Sequence, residues 1–362
     1  MRISIQPREF SQQPTSQKGS HPSGSACLCL KELQMNTIEV QTADFGFPGS
    51  IPVIGLEASD NHLIPAQKQY TFRRELFSEV SAFLEDPFGD ALCLIGPEGS
   101  GKTSVVEQIC SRLNWPVTQV EGREEQTFDK FVGKYIVQSI FPGDPPEMSW
   151  QDGPLTTAMK KGYVLLINEF NGIEPGENIG FNDVIEGRPL VISENGGEVV
   201  HPHPNFRLIV TGNMGADISR YAGTVMQSPA FIDRFRISVV DYMDPQDEVA
   251  LLSSSYPELP EKLIMQIISF ANHIRQAFQS ESYDEKLSYP ISTRTLLRWC
   301  RLIVRYLGKD DYIKYTFEHA YLRRYFQKEE VIAIHRMAKD IFGDKQWETS
   351  EDEVPKKAEP PF

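Results

Sequence analysis

One segment of the sequence has the residue types and spacing needed to hold a polyphosphate. It reads Gly96-Pro97-Glu98-Gly99-Ser100-Gly101-Lys102-Thr103 and matches the pattern Gly-x-x-x-x-Gly-Lys-Ser/Thr. In such a loop the glycines let successive backbone N–H groups face the phosphates, and the helix that follows adds partial positive charge. Lys102 would reach the β- and γ-phosphates, and the Thr103 hydroxyl would ligate Mg²⁺. The sequence therefore predicts that these eight residues bind a nucleotide.

A second apolar run, 164–167, ends in the polar pair Asn168 and Glu169. At the end of a neighbouring strand, Glu169 could orient and deprotonate the attacking water. Asn168 takes the position beside the metal, where aspartate is usual. Its amide oxygen can accept a hydrogen bond from metal-bound water, but it lacks the charge that makes such bonds roughly twice as strong. We therefore expect slow hydrolysis and weakened Mg²⁺ binding; the alternative is a structural strand that ends in two polar residues.

Three further polar residues could act on the same nucleotide. Asn213 follows another apolar run and could hydrogen-bond the γ-phosphate or the water beside Glu169, although Gly-Asn is also a common turn. Arg234 precedes the last strand-like run; the alternative for it is a surface arginine paired with Asp233. Arg294 lies in Ser-Thr-Arg at the start of a predicted helix.

The apolar pattern predicts the elements that must position these residues. Short apolar runs, which we interpret as strands buried on both faces of a parallel sheet, occur at 91–95, 117–120, 164–167, 208–210 and 237–240. Helical spacings alternate with these runs, so the predicted fold class is α/β with right-handed crossovers. After about Asp244 only helical periods remain. We predict a disordered segment 1–48, an α/β nucleotide-binding domain 49–244, a smaller all-helical domain 245–343 and a disordered acidic tail 344–362.

Composition and charge exclude several classes of protein. The chain has 362 residues, and 36 basic against 50 acidic residues give a formal net charge of −14. That balance argues against a dedicated duplex-binding protein but does not exclude a local basic channel. No apolar stretch approaches the length of a membrane span, and the start of the chain lacks a secretory signal. With five cysteines and no export signal we expect a cytoplasmic protein, translated from either Met1 or Met35.

The order of these parts resembles an AAA+ ATPase, with a helical lid after the parallel-sheet core. Within that family the sequence resembles the MoxR-type branch of the dynein-related group, and the CobS-like ATPases of cobaltochelatase in particular. The resemblance covers about residues 50–310. The strings that carry it are Leu113–Val117, Phe131–Lys134, Asp152–Leu155, Asn182–Glu186, Pro202–Arg207 and Tyr221–Thr224.

The resemblance implies cofactors, roles and partners. It implies ATP with Mg²⁺, Asn213 as a first sensor, Arg294 as a second sensor, and Arg234 as a finger that enters the neighbouring subunit's site. Arg236 is a weaker candidate for that finger. A finger acting in trans requires a ring of identical subunits, which we expect to be hexameric. The branch also implies a partner with a von Willebrand A domain, which the ring would remodel or load.

Two segments of the chain match insertions of the same family. Residues 190–200 match the family's inserted hairpin, with Asn195-Gly196 as its turn, and 141–150 match the region of its helix insertion. Either segment could bind a partner or be a solvated loop.

Two other functions remain open from the sequence. One is a nucleotide-dependent assembly scaffold, in which Asn168 has reduced ATP hydrolysis, and the other is a DNA-processing ATPase.

Overall fold

A computed structural model describes residues 37–48, 51–138, 146–212, 229–280, 287–308, 311–323, 326–344 and 347, with the side chain of Gln138 excepted. The strands are β1 (Thr37–Gln41), β2 (Pro52–Leu56), β3 (Ala91–Ile95), β4 (Val117–Glu121), β5 (Gly133–Gln138), β6 (Glu147–Asp152), β7 (Val164–Asn168), β8 (Leu190–Ile192), β9 (Glu198–Val200), β10 (Arg207–Gly212) and β11 (Phe235–Val239). The helices are α1 (Arg74–Glu85), α2 (Lys102–Arg112), α3 (Phe128–Val132), α4 (Pro154–Lys161), α5 (Pro175–Asn178), α6 (Phe181–Ile185), α7 (Pro229–Ile232), α8 (Pro245–Ser255), α9 (Glu261–Gln279), α10 (Thr293–Tyr306), α11 (Tyr312–Phe317) and α12 (Lys328–Phe342).

A five-stranded parallel sheet forms the core of the first domain, in the order β11-β3-β10-β7-β4. Every residue of the inner strands β7 and β10 is buried, whereas in the edge strands β4 and β11 only Val117, Phe235 and Ser238 are buried. This difference explains why the inner strands read as uninterrupted apolar runs. The predicted strands and the α/β class are confirmed. Because the strands are parallel, their carboxyl ends lie at one edge, where the loops that could bind a ligand meet.

Helices pack on this sheet through buried apolar side chains. Leu155 of α4 and Phe181 of α6 lie in one cluster with Ile167 of β7 and Val210 of β10. Elsewhere α1 packs against α2, which follows β3 directly. The first residues of α2 are thereby fixed beside the carboxyl ends of β3 and β7.

The helical part, α8–α12, has its own core. The side chains of Phe270, Trp299, Phe317 and Phe342 pack edge-on or tilted against one another, with ring centroids 4.8–6.0 Å apart. The predicted all-helical lid region is confirmed. Over the described residues, no helix combines the length and apolar composition needed to cross a bilayer.

The folded chain begins before residue 49, so the prediction of disorder is wrong for residues 37–48. Strand β1 pairs antiparallel with β2, and Phe45 packs against Phe72 and Phe77 with centroids 5.1 and 4.4 Å away. The apolar alternation is too short to be distinctive in the sequence; it is the pairing with β2 that orders it. Residues 1–36 lie outside the described part of the chain.

Trp347 corrects the predicted disordered tail in the same way. Its side chain is fully buried, its ring stacks on Phe342 at 5.6 Å, and its Nε1 donates to His335 Nδ1 at 3.0 Å. The acidic run after it lies outside the described residues. Trp347 is therefore part of the aromatic core of the lid, although composition alone places it in a solvated tail.

Two hairpins project from the first domain. The predicted hairpin at 190–200 is confirmed as β8 and β9, joined by a short helical turn at Ser193–Asn195. Of the region 141–150, which resembles the family's helix insertion, residues 141–145 lie outside the described part of the chain, and Glu147–Asp152 forms β6, which pairs along its length with β5. Tyr135 Oη donates to the Glu194 carbonyl at 3.0 Å and so links the two hairpins.

We predict that Trp347→Ala destabilises the lid by about 3–5 kcal/mol, because it removes a fully buried indole and leaves a cavity. Trp347→Phe keeps most of the ring and loses the hydrogen bond to His335, so it should cost about 1 kcal/mol. Urea denaturation followed by tryptophan fluorescence and circular dichroism measures both values. Equal stability of wild type and Trp347→Ala would show that this residue does not belong to the lid core.

Candidate functional site

The phosphate-binding loop, Gly96–Thr103, joins β3 to α2. Its backbone has positive φ at three glycines, Gly96 (+153°), Gly99 (+71°) and Gly101 (+96°), and at the first two a side chain would also lack space. A Cβ on Gly96 would lie 2.1 Å from the Val240 carbonyl oxygen, and one on Gly99 would lie 2.5 Å from Ser292 Cβ. Conformation and space both exclude a side chain. The tip of the loop thus lies directly against the lid.

Lys102 is the buried cation of this loop. Its Nζ donates to the carbonyl oxygens of Gly96 at 2.8 Å and Pro97 at 3.0 Å, and the residue is only 6% exposed. Burial lowers the pKa of Lys102, the charges of Glu169 and Glu98 oppose that shift, and Arg294 adds to it. A buried ammonium held within its own loop is positioned to meet an anion that enters the cleft.

Asn168 is the centre of a small polar network at the carboxyl end of β7. Its Oδ1 accepts from Thr103 Oγ1 at 2.8 Å and from Thr211 Oγ1 at 3.3 Å. Its Nδ2 donates to Glu121 Oε1 at 2.8 Å. The predicted metal-side residues Thr103 and Asn168 are therefore in contact, and they present the hard oxygen donors that Mg²⁺ prefers. Sequence reasoning missed Glu121, whose only signal is its place at the end of the neighbouring strand.

Glu169 lies beside this network in a strained backbone conformation. Its φ of +47° is in the left-handed region, which costs a non-glycine residue roughly 1–2 kcal/mol. Its side chain lines the cleft and is only partly buried there. Burial raises the pKa of Glu169, the charge of Lys102 opposes that rise, and Glu121 and Glu98 add to it. A carboxylate with a raised pKa is better suited to accept a proton than an ordinary surface glutamate.

The cleft between the strand ends and the lid has a volume of about 1120 Å³. Lys102, Thr103, Asn168, Glu169 and Arg294 all line it. Its described lining carries six carboxylates and three cationic side chains. A polyphosphate entering a cleft with this excess of negative charge needs a divalent cation to reduce the repulsion. The donor chemistry of the lining therefore fits Mg²⁺.

Arg294 reaches the cleft because the start of α10 is fixed from behind by a buried ion pair. Arg275 Nη1 lies 2.8 Å from Glu248 Oε2, and both side chains are almost fully buried. Glu248 Oε1 also accepts from Thr293 Oγ1 at 2.7 Å, next to Arg294 in the chain. These contacts hold the first turn of α10 against α8 and α9, so the exposed guanidinium of Arg294 faces the phosphate loop.

Tyr242 links the same ion pair to the phosphate-binding loop. Its ring lies under the Arg275 guanidinium at 4.1 Å, and its Oη donates to the Glu98 carbonyl at 3.2 Å. Tyr242 therefore contacts both the phosphate-binding loop and the lid. Neither Tyr242 nor the buried pair has a motif that sequence reasoning could have found.

The remaining predicted residues lie elsewhere. Arg234 pairs with Glu186, with Nε 2.8 Å from Oε1, rather than with Asp233, and it is not among the described residues that line the cleft. Arg236 lies over the rings of Phe83 and Phe88 at 5.8 and 5.6 Å. Asn213 follows the last residue of β10 and lies outside the described residues.

Comparison with known proteins gives two family matches and a group of relatives. Residues 91–235 match the AAA domain of the dynein-related subfamily, and residues 249–353 match the midasin AAA lid domain. Uncharacterized proteins of Staphylococcus aureus, including those of strains NCTC 8325 and USA300, are 30% identical over 228 residues. The aligned part is 63% of this chain and 82% of each relative.

We predict that Gly99→Ala weakens binding of a fluorescent nucleotide at least about tenfold, because the added Cβ forces the loop away from Ser292 and the backbone out of its positive φ. Gly176→Ala is the matched control, since a Cβ there meets nothing within 4 Å. Fluorescence anisotropy titrations compare the two variants. Unchanged affinity in Gly99→Ala would mean that the packing of lid on loop does not matter for binding.

Proposed function

The chain belongs to the AAA+ ATPases, in the dynein-related subfamily, and on that premise we propose that it binds Mg²⁺·ATP in the cleft and hydrolyses it. The observation that supports this most is the convergence of Lys102, Thr103, Asn168, Glu169 and Arg294, drawn from two domains, on one cleft. Thr103 and Asn168 would hold the metal, and the loop Gly96–Thr103 would hold the phosphates. No other described group of residues combines a phosphate loop, a carboxylate and a lid arginine.

The residues divide the reaction among them. Bound Mg²⁺ would neutralise part of the negative charge of the phosphates. Lys102 exchanges its hydrogen bonds from the loop carbonyls to phosphate oxygens, and Arg294 brings a second cation from the lid. Glu169, in its ionised form, orients a water and takes its proton. Asn213 would contact the γ-phosphate or that water.

Hydrolysis is slow in this proposal because Asn168 is neutral, so no carboxylate at this position acts directly on the water bound to the metal. Each 1.36 kcal/mol lost from transition-state stabilisation slows turnover tenfold. The same feature supports the second candidate function, an assembly scaffold in which bound ATP organises the oligomer without rapid turnover. Steady phosphate release that depends on Glu169 separates the two.

A ring of identical subunits, hexameric in this proposal, completes the site. Arg234 does not line the described cleft of its own subunit, so a catalytic role for it requires a neighbour's cleft. To act there it must leave Glu186, an exchange between accessible charges that costs little, roughly 0–1 kcal/mol. We assign the ring to the MoxR and CobS-like branch, where it would remodel or load a partner with a von Willebrand A domain, as in a metal chelatase.

The proposed compartment is the cytoplasm. Cys93, Cys110 and Cys300 are free and buried, and burial raises the pKa of Cys93 and of Cys300 to about 12. Such thiols behave as small apolar side chains and suit a reducing environment.

The partner protein can be identified by affinity capture. A Glu169→Gln variant held in its ATP-bound state would serve to capture it from a cell extract.

We predict that Glu169→Gln lowers the rate of ATP hydrolysis about 10²- to 10⁴-fold while nucleotide affinity stays within about threefold of wild type, since the amide keeps the shape but cannot accept the proton. Because burial raises the pKa of Glu169, wild-type hydrolysis should fall as pH drops through a value above the ordinary carboxyl pKa of about 4.3. Phosphate release across pH measures both effects. Retained hydrolysis in the variant would remove Glu169 from the mechanism.

We predict that Arg234→Ala lowers hydrolysis about 10³- to 10⁵-fold and that mixing it with Glu169→Gln restores part of the activity. Some interfaces in the mixture pair an intact Glu169 with an intact neighbouring Arg234, whereas neither pure variant has such an interface. Arg236→Ala is the matched comparison, two residues away. The assignment of the arginine finger to Arg234 would be contradicted if Arg236→Ala lost activity while Arg234→Ala kept it. It would also be contradicted if mixing the Arg234→Ala and Glu169→Gln variants restored no activity.

A further inference from the structure

Glu121 and Asn168 are fixed side by side by the register of the sheet. In the parallel pair β4 and β7, the Cα of Glu121 lies directly opposite that of Asn168. Both are the last residues of their strands, so their side chains leave the sheet at its carboxyl edge. The 2.8 Å bond from Asn168 Nδ2 to Glu121 Oε1 therefore joins two residues of the rigid sheet rather than two mobile loops.

The bond determines which way the buried amide of Asn168 points. Its oxygen accepts from Thr103 and Thr211, and its nitrogen faces the carboxylate. A reversed amide would set two oxygens against each other at Glu121, which has no proton to give when ionised. Asn168 is 4% exposed, so water does not compete freely for its amide, whereas Glu121 approaches it from the exposed side of the strand end. Glu121 thus holds the amide oxygen toward Thr103.

We propose that Glu121 is a positioning residue that supplies, through the amide of Asn168, the negative charge that this position of the Mg²⁺ site lacks. The inference rests on the proposed function, in which Thr103 and Asn168 hold the metal. A carboxylate that accepts from an amide N–H polarises the amide and makes its oxygen a better acceptor. Partners of this kind behind a metal ligand are typically worth 10- to 100-fold in metal affinity. Glu121 and Asn168 therefore act together at the metal site. Their single negative charge lies on β4, the neighbour of β7, where a carboxylate at position 168 would usually carry it.

The pair has a consequence that neither residue has alone. Asn168→Asp gives the position its usual carboxylate, but it places that carboxylate within about 3 Å of Glu121, where two like charges disfavour each other. The substitution should therefore fail to strengthen Mg²⁺ binding. Combining it with Glu121→Gln reverses the pair, since the new amide can donate to the new carboxylate and the single charge is kept.

The test is a double-mutant cycle on the full chain, with wild type, Glu121→Gln, Asn168→Asp and the double variant. A fluorescent ATP analogue is held at fixed concentration and Mg²⁺ is titrated, with anisotropy reporting the Mg²⁺ midpoint. We expect a midpoint at least about tenfold higher in Glu121→Gln and no lower than wild type in Asn168→Asp. The double variant should return to within about twofold of wild type, so the two changes are strongly non-additive.

A second readout needs no nucleotide. Thermal unfolding of the protein without ligand should give a lower midpoint for Asn168→Asp than for wild type and recovery in the double variant, because the like-charge contact exists before any metal binds. Glu124→Gln is the matched control: it removes the same charge from the loop after β4, and we expect a much smaller shift of the Mg²⁺ midpoint than in Glu121→Gln.

The outcomes separate the two levels of the proposal. Additive effects, an unchanged midpoint in Glu121→Gln or tighter Mg²⁺ binding in Asn168→Asp would overturn the role of the pair while leaving an ATP-binding cleft intact. Equal shifts in Glu121→Gln and Glu124→Gln would reduce the effect to general electrostatics and overturn it as well. If wild type binds the analogue neither with nor without Mg²⁺, the proposed function fails, and the role of the pair fails with it.

Discussion

The in-register parallel pairing of β3, β7, β10 and β4 is the constraint on which the site depends. It brings the carboxyl ends of four strands, separated by long stretches of chain, to one edge of the sheet. The phosphate loop, the pair Asn168-Glu169 and Glu121 all follow from that edge. Because inner strands buried on both faces cannot slip without exposing apolar side chains, the polar residues at their ends are held to fixed mutual distances. Rigid positioning of this kind suits a reaction in which the protein mainly orients and neutralises charge.

The lid depends on a different interaction, the buried pair of Arg275 and Glu248. Such a pair adds little net stability over apolar packing, but loss of one partner leaves an uncompensated buried charge. Its effect here is geometric, since Glu248 also holds Thr293 and thereby the turn that carries Arg294. Tyr242 extends the same contacts to the Glu98 carbonyl. The loop and the lid are therefore also in contact through residues that do not themselves line the cleft.

The sequence predicts the parts of the protein that are local in the chain. The phosphate loop, the buried strands, the β8–β9 hairpin and the helical lid depend on patterns of a few residues, and each is found. Contacts across long separations could not be predicted: Glu121 and Asn168 are paired by strand register, and Tyr242 meets Arg275 only when the lid is folded. Composition predicts disorder for Thr37–Gln41 and Trp347 because their order comes from distant partners, β2 and the lid aromatics. Composition describes a segment by itself, whereas burial depends on what the fold places beside it.

The excess of acidic residues over the whole chain is also found locally, in the lining of the cleft. A net charge of −14 argues against duplex binding, yet the proposed ligand is itself a polyanion. The cations that line the described cleft are Lys102, Arg123 and Arg294, and they are outnumbered by carboxylates. A nucleotide without a divalent cation would meet repulsion there, so in the proposed function the metal would be a condition for binding as well as for chemistry. In that setting a neutral Asn168 is less anomalous than in a basic cleft: the charge it lacks is already present on Glu121, and a further carboxylate at the same point would add repulsion within the pair.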